Sequence, residues 1–269
     1  MKIGKYDFDF ENECYIMGIL NVTPDSFSDG GEFNNIDKAL FHVEEMINDG
    51  AKIIDVGGYS TRPGHEDISI EEEIERVVPV AEKIKKNFDI CISIDTFNSK
   101  VFDESAKVGA EILNDVSGLK YDKDMAKIAK KHNSTIVIMT WDPPYNENIV
   151  EKVYKELEDS IKIAQDYNIE NIIVDPGVGF SRGYDGDFEL VSNLDYLKKL
   201  NRPILLGTSN KRFLRKAINT DKLKTPIATS ATTVSGVLNG ASIFRVHDVK
   251  TNLIAMKIAQ EIKKHDRHN

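Results

Sequence analysis

Side chains able to bind or polarise a ligand recur in this 269-residue chain at one kind of place, directly after a short apolar run. The runs at 15–20, 52–56, 90–94, 111–113, 135–139, 171–174, 203–206 and 242–246 are rich in β-branched residues and nearly continuous in apolar ones. At or just past their ends stand Asn21, Asp55, Asp95, Asn114 with Asp115, Asp175, Thr208-Ser209 with Lys211, and Arg245-Val246-His247-Asp248. A lone Asn or Asp after a strand is usually a helix cap or a turn residue, and that is the expectation for Asp115 and Asp248. For the set as a whole, convergence on one rim is the better reading.

The set has a chemical sense. Carboxylates and an amide at Asp95, Asn114 and Asp175 can accept and donate along the edge of a flat, nitrogen-rich heterocycle, because a carboxylate facing two adjacent N–H groups is the geometry of guanidinium recognition. Lys211, Arg245, His247, Arg62 and Thr61 supply cations and a hydroxyl for phosphate oxygens. Acceptors on one side and cations on the other suit a heterocycle carrying a diphosphate. Two loops, from Asn21 through Pro24, Asp25, Phe27, Gly30 and Gly31, and from Gly57-Gly58 through Thr61, Arg62, Pro63 and Gly64, are longer than minimal strand-to-helix turns of about two to six residues. They are expected to act as mobile lids.

The elements that must carry these residues follow from hydrophobic periodicity. Runs apolar on both faces are expected of parallel strands covered by helices. Between them lie amphipathic stretches such as 70–86, with Ile70, Ile74, Val77, Val78, Ala81 and Ile84 at helical spacing. Eight strands alternating with helices predict a (β/α)8 TIM barrel whose site lies at the C-terminal strand ends, with a doubly wound open sheet as the alternative. No linker or composition break divides the chain, so residues 1–269 are expected to form a single domain, and the segment before Tyr15 a short β-ribbon covering the barrel's bottom.

Composition narrows the function classes. A formal net charge of -9 argues against a nucleic-acid or anionic-membrane surface. The two cysteines, Cys14 and Cys91, form no CxxC pair and fit a reducing cytoplasm, Cys91 inside a strand. No signal peptide and no bilayer-length apolar run is expected. Asp175-Pro176-Gly177-Val178-Gly179 contains GxG, but Gly183 falls one residue late for GxGxxG. P-loop, zinc-spacing and GxSxG patterns do not occur.

The stretch Met17-Gly18-Ile19-Leu20-Asn21-Val22-Thr23-Pro24-Asp25-Ser26-Phe27-Ser28-Asp29-Gly30-Gly31 resembles the first signature of the dihydropteroate synthase family, and Ile54-Asp55-Val56-Gly57-Gly58 with Ser60-Thr61-Arg62-Pro63-Gly64 resembles the second. Ser93-Ile94-Asp95-Thr96, Asn114-Asp115, Asp175-Pro176-Gly177, Ser209-x-Lys211 and Arg245-Val246-His247-Asp248 follow in the family's order. The resemblance implies that Asp95, Asn114, Asp175 and Lys211 hold a dihydropterin. It implies that Asn21 (through Mg2+), Thr61, Arg62, Arg245, Val246 and His247 bind its diphosphate. Phe27, Pro63, Gly64, Phe180 and Lys211 would shape a p-aminobenzoate site, with Asp25 also on the first mobile loop. It implies a transferase of folate biosynthesis, with Asp95, Lys211, Arg245 and His247 as catalytic residues, acting as a homodimer. A pterin-binding paralogue, silent or methyltetrahydrofolate-binding, is the alternative. The chain departs from the family pattern in three places: Asn210 where Arg is usual, Met139-Thr140-Trp141-Asp142 where a Met-His-Met stretch is usual, and Ser181-Arg182 where Gly-Lys is usual. Losing a cation at Asn210 is expected to weaken the hold on the benzoate carboxylate.

Overall fold

In the computed structural model, residues 1–22, 32–59, 68–140, 148–180, 182–221 and 224–265 are described, 32–35 by backbone alone. Each apolar run is a strand. After the ribbon β1 (Lys2–Ile3) and β2 (Tyr6–Asp7) come β3 (Tyr15–Asn21), β4 (Ile53–Gly57), β5 (Cys91–Asp95), β6 (Ile112–Asp115), β7 (Thr135–Met139), β8 (Ile172–Asp175), β9 (Leu205–Leu206) and β10 (Ile243–Val246). The helices between them are α1 (Glu32–Asn48), α2 (Ile70–Asn87), α3 (Ser99–Lys107), α4 (Met125–Lys131), α5 (Ile149–Asp166), α6 (Gly183–Ser192), α7 (Arg212–Ala217), α8 (Pro226–Leu238) and α9 (Val249–Lys264). The expected helix at 70–86 is present as α2, started by Ser69, whose hydroxyl accepts from the Glu72 N–H. None of the described helices is long and apolar enough to cross a membrane.

The strands pair in the order β8-β7-β6-β5-β4-β3-β10-β9, all parallel. A parallel bridge from Val174 to Ile204, with the Val174 N–H donating to the Pro203 carbonyl at 2.9 Å, closes the ring. The barrel expectation is met and the open sheet is excluded. Several strands run one residue further than the apolar runs, through Asn21, Gly57, Asp95 and Asp175. Backbone pairing is indifferent to side-chain polarity, as the registers Asn21 with Gly57 and Gly57 with Asp95 illustrate. The run at 203–206 gives only Leu205–Leu206, because Pro203 has no N–H for the ladder.

Side chains alternate inward and outward along each strand, and the two sets do different jobs. Ile16, Leu20, Ile54, Val56, Ile92, Ile94, Leu113, Ile136, Ile138, Ile172, Val174, Leu206, Phe244 and Val246 join the apolar layer between strands and helices. The inward set begins with one apolar residue from every barrel strand: Met17, Ile53, Cys91, Ile112, Val137, Ile173, Leu205 and Ile243. Ile3 and Phe8 of the N-terminal segment pack onto this floor, so the ribbon plugs the N-terminal end of the barrel. Phe8 stacks on Phe10 at 5.3 Å and meets Tyr15 edge-on at 5.0 Å.

Moving two residues along each strand reaches the next inward level: Ile19, Asp55, Ser93, Asn114, Met139, Asp175, Gly207 and Arg245. That level is polar at five of its eight positions, Asp55, Ser93, Asn114, Asp175 and Arg245. An apolar floor beneath a polar upper storey means the plug should matter to stability and not to ligand affinity. Phe8→Ala is therefore expected to lower unfolding stability by about 3–5 kcal/mol, read from the urea midpoint. Ligand affinity at the polar storey should match the wild type; a parallel loss of both would show that the floor and the upper storey are not separable.

Candidate active site

Arg245 reaches across the barrel interior. Its Nε donates to Asp55 Oδ2 at 2.6 Å and its Nη2 to Asp95 Oδ2 at 2.5 Å. The Asn114 amide donates to the same Asp55 Oδ2 at 3.2 Å. These bonds link β10 to β4, β10 to β5 and β6 to β4, none of them a pair of neighbours in the sheet, so they run through the lumen. Asp55 is fully buried, Asn114 is 4% exposed and Asp175 8%.

Burial in so small a space moves the ionisation of the whole group. Burial pushes the Asp95 carboxyl up to about 7; Arg245 opposes this, and the nearby Asp55 and Glu73 add to it. Asp175 is pushed up to about 6, again by burial, against the Gly177 N–H, which donates to its Oδ1 at 2.7 Å, and the charges of Lys211, Arg245 and Arg182. Burial draws Lys211 down to about 8, with Asp175 opposing. Burial works against the Arg245 cation too, but Asp55 and Asp95 more than offset it and hold its pKa above the usual arginine value.

Lys211, the residue before α7, lies with its Nζ 3.9 Å from the centre of the Phe180 ring. Gly179 makes this possible: its φ is +86° and a Cβ there would stand 2.5 Å from Lys211 Cδ. At the β10 end, His247 Nδ1 and Ser209 Oγ are 2.9 Å apart, and the Ser209 hydroxyl also accepts from the His247 N–H at 3.1 Å. His247 is thus fixed at the rim, two residues beyond Arg245. Asn21 closes β3 in register with Gly57 and is half-buried.

The structure brings together Asp95, Asn114, Asp175, Lys211, Arg245 and Phe180, and sets His247 beside them. Thr61, Arg62, Pro63, Gly64, Asp25 and Phe27 lie outside the described residues. The Val246 side chain sits in the apolar layer facing the helices, as strand alternation from Arg245 requires, which leaves its main chain for contact with a ligand. Asp115 is a turn residue and Asp248 the N-cap of α9. Asp115 accepts from the Ser117 and Leu119 N–H groups at 2.7 and 2.9 Å, and Asp248 from the Thr251 N–H at 2.9 Å. Asn210 has a φ of +57°, and its side-chain oxygen accepts from the Thr225 N–H at 2.7 Å, at the start of α8. Its amide is committed to the scaffold rather than turned to an aryl carboxylate.

Asp55 stood among the strand-end residues in the sequence but was given no role there. The signal was present: an Asp inside an otherwise apolar strand, two residues after Ile53, shares the inward face with the floor. Ser209, read only as part of a strand end, orients His247.

For a metal, the fit is limited. Among the described residues no group of three or more His, Cys, Asp or Glu side chains could hold an ion. Mg2+ prefers six oxygens and is commonly bound by one or two protein groups together with substrate phosphates and water. An amide oxygen from Asn21 suits an ion that arrives with a diphosphate better than a resident one.

The comparisons with known proteins agree with this chemistry. Residues 17–247 match the family described as pterin binding enzyme. The chain is 49% identical to a dihydropteroate synthase of Clostridium beijerinckii over 97% of its own length and 99% of that protein's. It is 45% identical to the dihydropteroate synthase of Bacillus subtilis, over 90% and 86%. The crystal structure of the FolP dihydropteroate synthase from Clostridium difficile, obtained in the presence of pteroic acid, superposes with a TM-score of 0.92 at 44% identity, over 95% of this chain and 99% of that one. A Xanthomonas albilineans dihydropteroate synthase with 4-aminobenzoic acid gives 0.89 at 30% identity, over 95% of each chain.

The raised Asp175 carboxyl makes a stability prediction with a definite sign. A carboxyl at about 6 when folded and near 3.8 when unfolded favours the fold while protonated. That contribution is full below about pH 4 and lost as pH rises through about 6. The ionised group then costs the ligand-free protein roughly 3 kcal/mol. Asp175→Asn should therefore raise the melting temperature at mildly alkaline pH and leave it near the wild type in acid. A variant less stable than wild type in alkali would contradict burial as the cause.

Proposed function

The chain belongs to the dihydropteroate synthase family of pterin-binding enzymes and is a transferase of folate biosynthesis, and from that premise we propose how its own residues carry the reaction. The substrates are 6-hydroxymethyl-7,8-dihydropterin diphosphate and p-aminobenzoate, and the products 7,8-dihydropteroate and pyrophosphate. The carrying observation is the lumenal cluster of Asp55, Asp95, Asn114, Asp175, Lys211 and Arg245, in which acceptors outnumber cations at the barrel's C-terminal mouth.

Asp175 takes the 2-amino edge of the pterin, and Asp95 with Asn114 the opposite edge. Asp55 is added to this group as the anchor that holds Arg245 and Asn114 in place. Lys211, drawn down by burial and lying over Phe180, spans the pterin and arylamine sites. His247, held by Ser209, faces the diphosphate together with Asn21, Thr61 and Arg62. Asn21 would hold Mg2+, which when bound would supply positive charge against the leaving diphosphate. The bond from the pterin's exocyclic methylene to the diphosphate oxygen breaks with positive charge developing on the pterin side, which Asp95 and Asp175 stabilise while Arg245 and His247 receive the departing charge. The arylamine nitrogen then attacks the methylene, so no activated protein nucleophile is needed. Closure of the loops bearing Asp25 and Phe27, and Pro63 and Gly64, would exclude water.

Further parts of the reading rest on indirect support. Residues 1–269 act as a single domain. The homodimer is supported by an exposed apolar stripe on α9, where Ile254, Ile258 and Ile262 are 59%, 58% and 53% exposed, with Ile227 of α8 at 79%. A cytoplasmic setting is supported by two unpaired cysteines, Cys14 and the buried Cys91.

The assay that tests the function is pyrophosphate release from the pterin diphosphate, which should require both p-aminobenzoate and Mg2+. In the same assay system, His247→Ala should weaken the diphosphate substrate more than the bare hydroxymethylpterin, by about tenfold or more. Arg245→Ala should show the same bias toward the diphosphate substrate but also weaken the bare pterin and lower stability, because it strands Asp55 and Asp95 in the lumen. Equal losses in His247→Ala would remove the histidine from the diphosphate site.

Asn210→Arg should lower stability by roughly 1–2 kcal/mol through the lost contact with Thr225 and the left-handed backbone. Its Michaelis constant for p-aminobenzoate should not improve. A clearly lower constant would show that position 210 can still reach the aryl carboxylate.

A further inference from the structure

Two of the places where this chain leaves the family pattern touch each other, although they stand 42 residues apart. Arg182, only 4% exposed, uses its Nη2 to donate to the Thr140 carbonyl at 2.9 Å and to the Thr140 hydroxyl at 2.6 Å. The two protons of that nitrogen suffice for the two oxygens. The Thr140 hydroxyl, its lone pair thus engaged, donates its single proton to the Pro176 carbonyl at 3.1 Å. Every donor and acceptor in the relay Arg182 to Thr140 to Pro176 has a fixed direction, and such chains polarise one another.

The relay ends on the turn that presents Asp175. Gly177 adopts a φ of +69°, and a Cβ there would fall 2.3 Å from the Thr140 carbonyl oxygen, so the turn lies hard against Thr140. From that position the Gly177 N–H donates to Asp175 Oδ1, which fixes the carboxylate plane and leaves Oδ2 on the side of Gly207. We propose that Arg182 and Thr140 form a buried brace that positions Asp175 for the pterin edge, Arg182 acting both through the turn and through its charge. This rests on Asp175 holding the pterin, as inferred above.

The charges facing Asp175 among the described residues are Lys211 from the start of α7, Arg245 from β10 and Arg182 itself; each holds its pKa down against burial. Asp187 of α6 faces Arg182 and Lys211 and accepts from the Gly179 N–H at 2.6 Å, so it tempers their field. Arg182 is therefore a positioning residue with an electrostatic reach, which separates it from a purely structural arginine. A lysine at 182 keeps the point charge but presents no planar group to the two Thr140 oxygens. Valine at 140 keeps the shape and removes the hydroxyl link to Pro176.

The experiment measures the dissociation constant of hydroxymethylpterin across the acid and alkaline range for wild type, Arg182→Met, Arg182→Lys, Thr140→Val and Asp175→Asn, with circular dichroism on each. Wild-type affinity should fall as pH drops through about 6. In Arg182→Met that acid limb should move toward neutral pH, with a further loss of roughly tenfold on the alkaline plateau, the scale of one charge-assisted hydrogen bond. Arg182→Lys should keep the limb in place and lose affinity a few-fold. Thr140→Val should do the same. An unmoved limb and wild-type plateau in Arg182→Met overturn the brace. If that variant does not fold, wild-type affinity in both Arg182→Lys and Thr140→Val overturns it. Normal binding by Asp175→Asn would sink the pterin role of Asp175 instead. Collapse in Asp175→Asn beside wild-type behaviour at 182 and 140 would sink the brace alone.

Discussion

A guanidinium laid across the inside of the barrel, bonded to carboxylates on two other strands, is the interaction on which the rest of the site depends. Asp55 has no exposure to water, and an isolated carboxylate there would cost many kcal/mol. Arg245 makes that burial tolerable, and Asp55 in turn fixes the Asn114 amide. Taking one member away leaves an uncompensated charge, which typically costs about 3–5 kcal/mol. The polar storey thus works as a unit, and its members are difficult to assign separately to folding and to ligand binding.

The floor below makes such a unit possible. Eight apolar side chains, one per strand, fill the N-terminal half of the lumen, and Ile3 and Phe8 seal it. Water is kept from the underside of the polar layer, so its electrostatic interactions act at short range in a medium that screens them poorly. The outward residues give the strands a second apolar face against the helices. A barrel strand here reads apolar on both faces until its last turn inward, and that position is where the sequence places Asp55, Asn114, Asp175 and Arg245.

This explains what could be read from the chain and what could not. The strands were legible because parallel strands covered on both sides are continuous apolar runs, and the rim because polar residues interrupt them at their ends. Asp115 and Asp248 were legible as a turn residue and a cap because such residues find their partners two to four positions away. The partner of Asp55 lies 190 residues away, and no local pattern announces it; only the shared inward period with Ile53 hints at its direction. Asn210 and Arg182 stood out as departures from a pattern, yet their contacts with Thr225 and Thr140 depend on how loops from separate strands meet. Val246 came with its motif, and alternation already turned its side chain outward.

The same crowding that makes the storey costly to build gives it a function. Asp95 and Asp175 are raised to about 7 and about 6 because burial penalises their charge, and Asp55 Oδ1 is buried without a hydrogen-bond partner among the described residues. Carboxylates in this condition gain more from a new N–H donor than solvated ones do, since water has already been removed from them. A donor-rich heterocycle entering the mouth supplies the missing partners and brings little desolvation cost on the protein side. In the proposed reaction, positive charge developing on that heterocycle would gain again from the same acids, now at the moment of bond cleavage. On the proposed function, stability forgone in the ligand-free barrel would in this way be returned on binding, and most fully in the transition state, which is the condition for a site to raise rate as well as affinity.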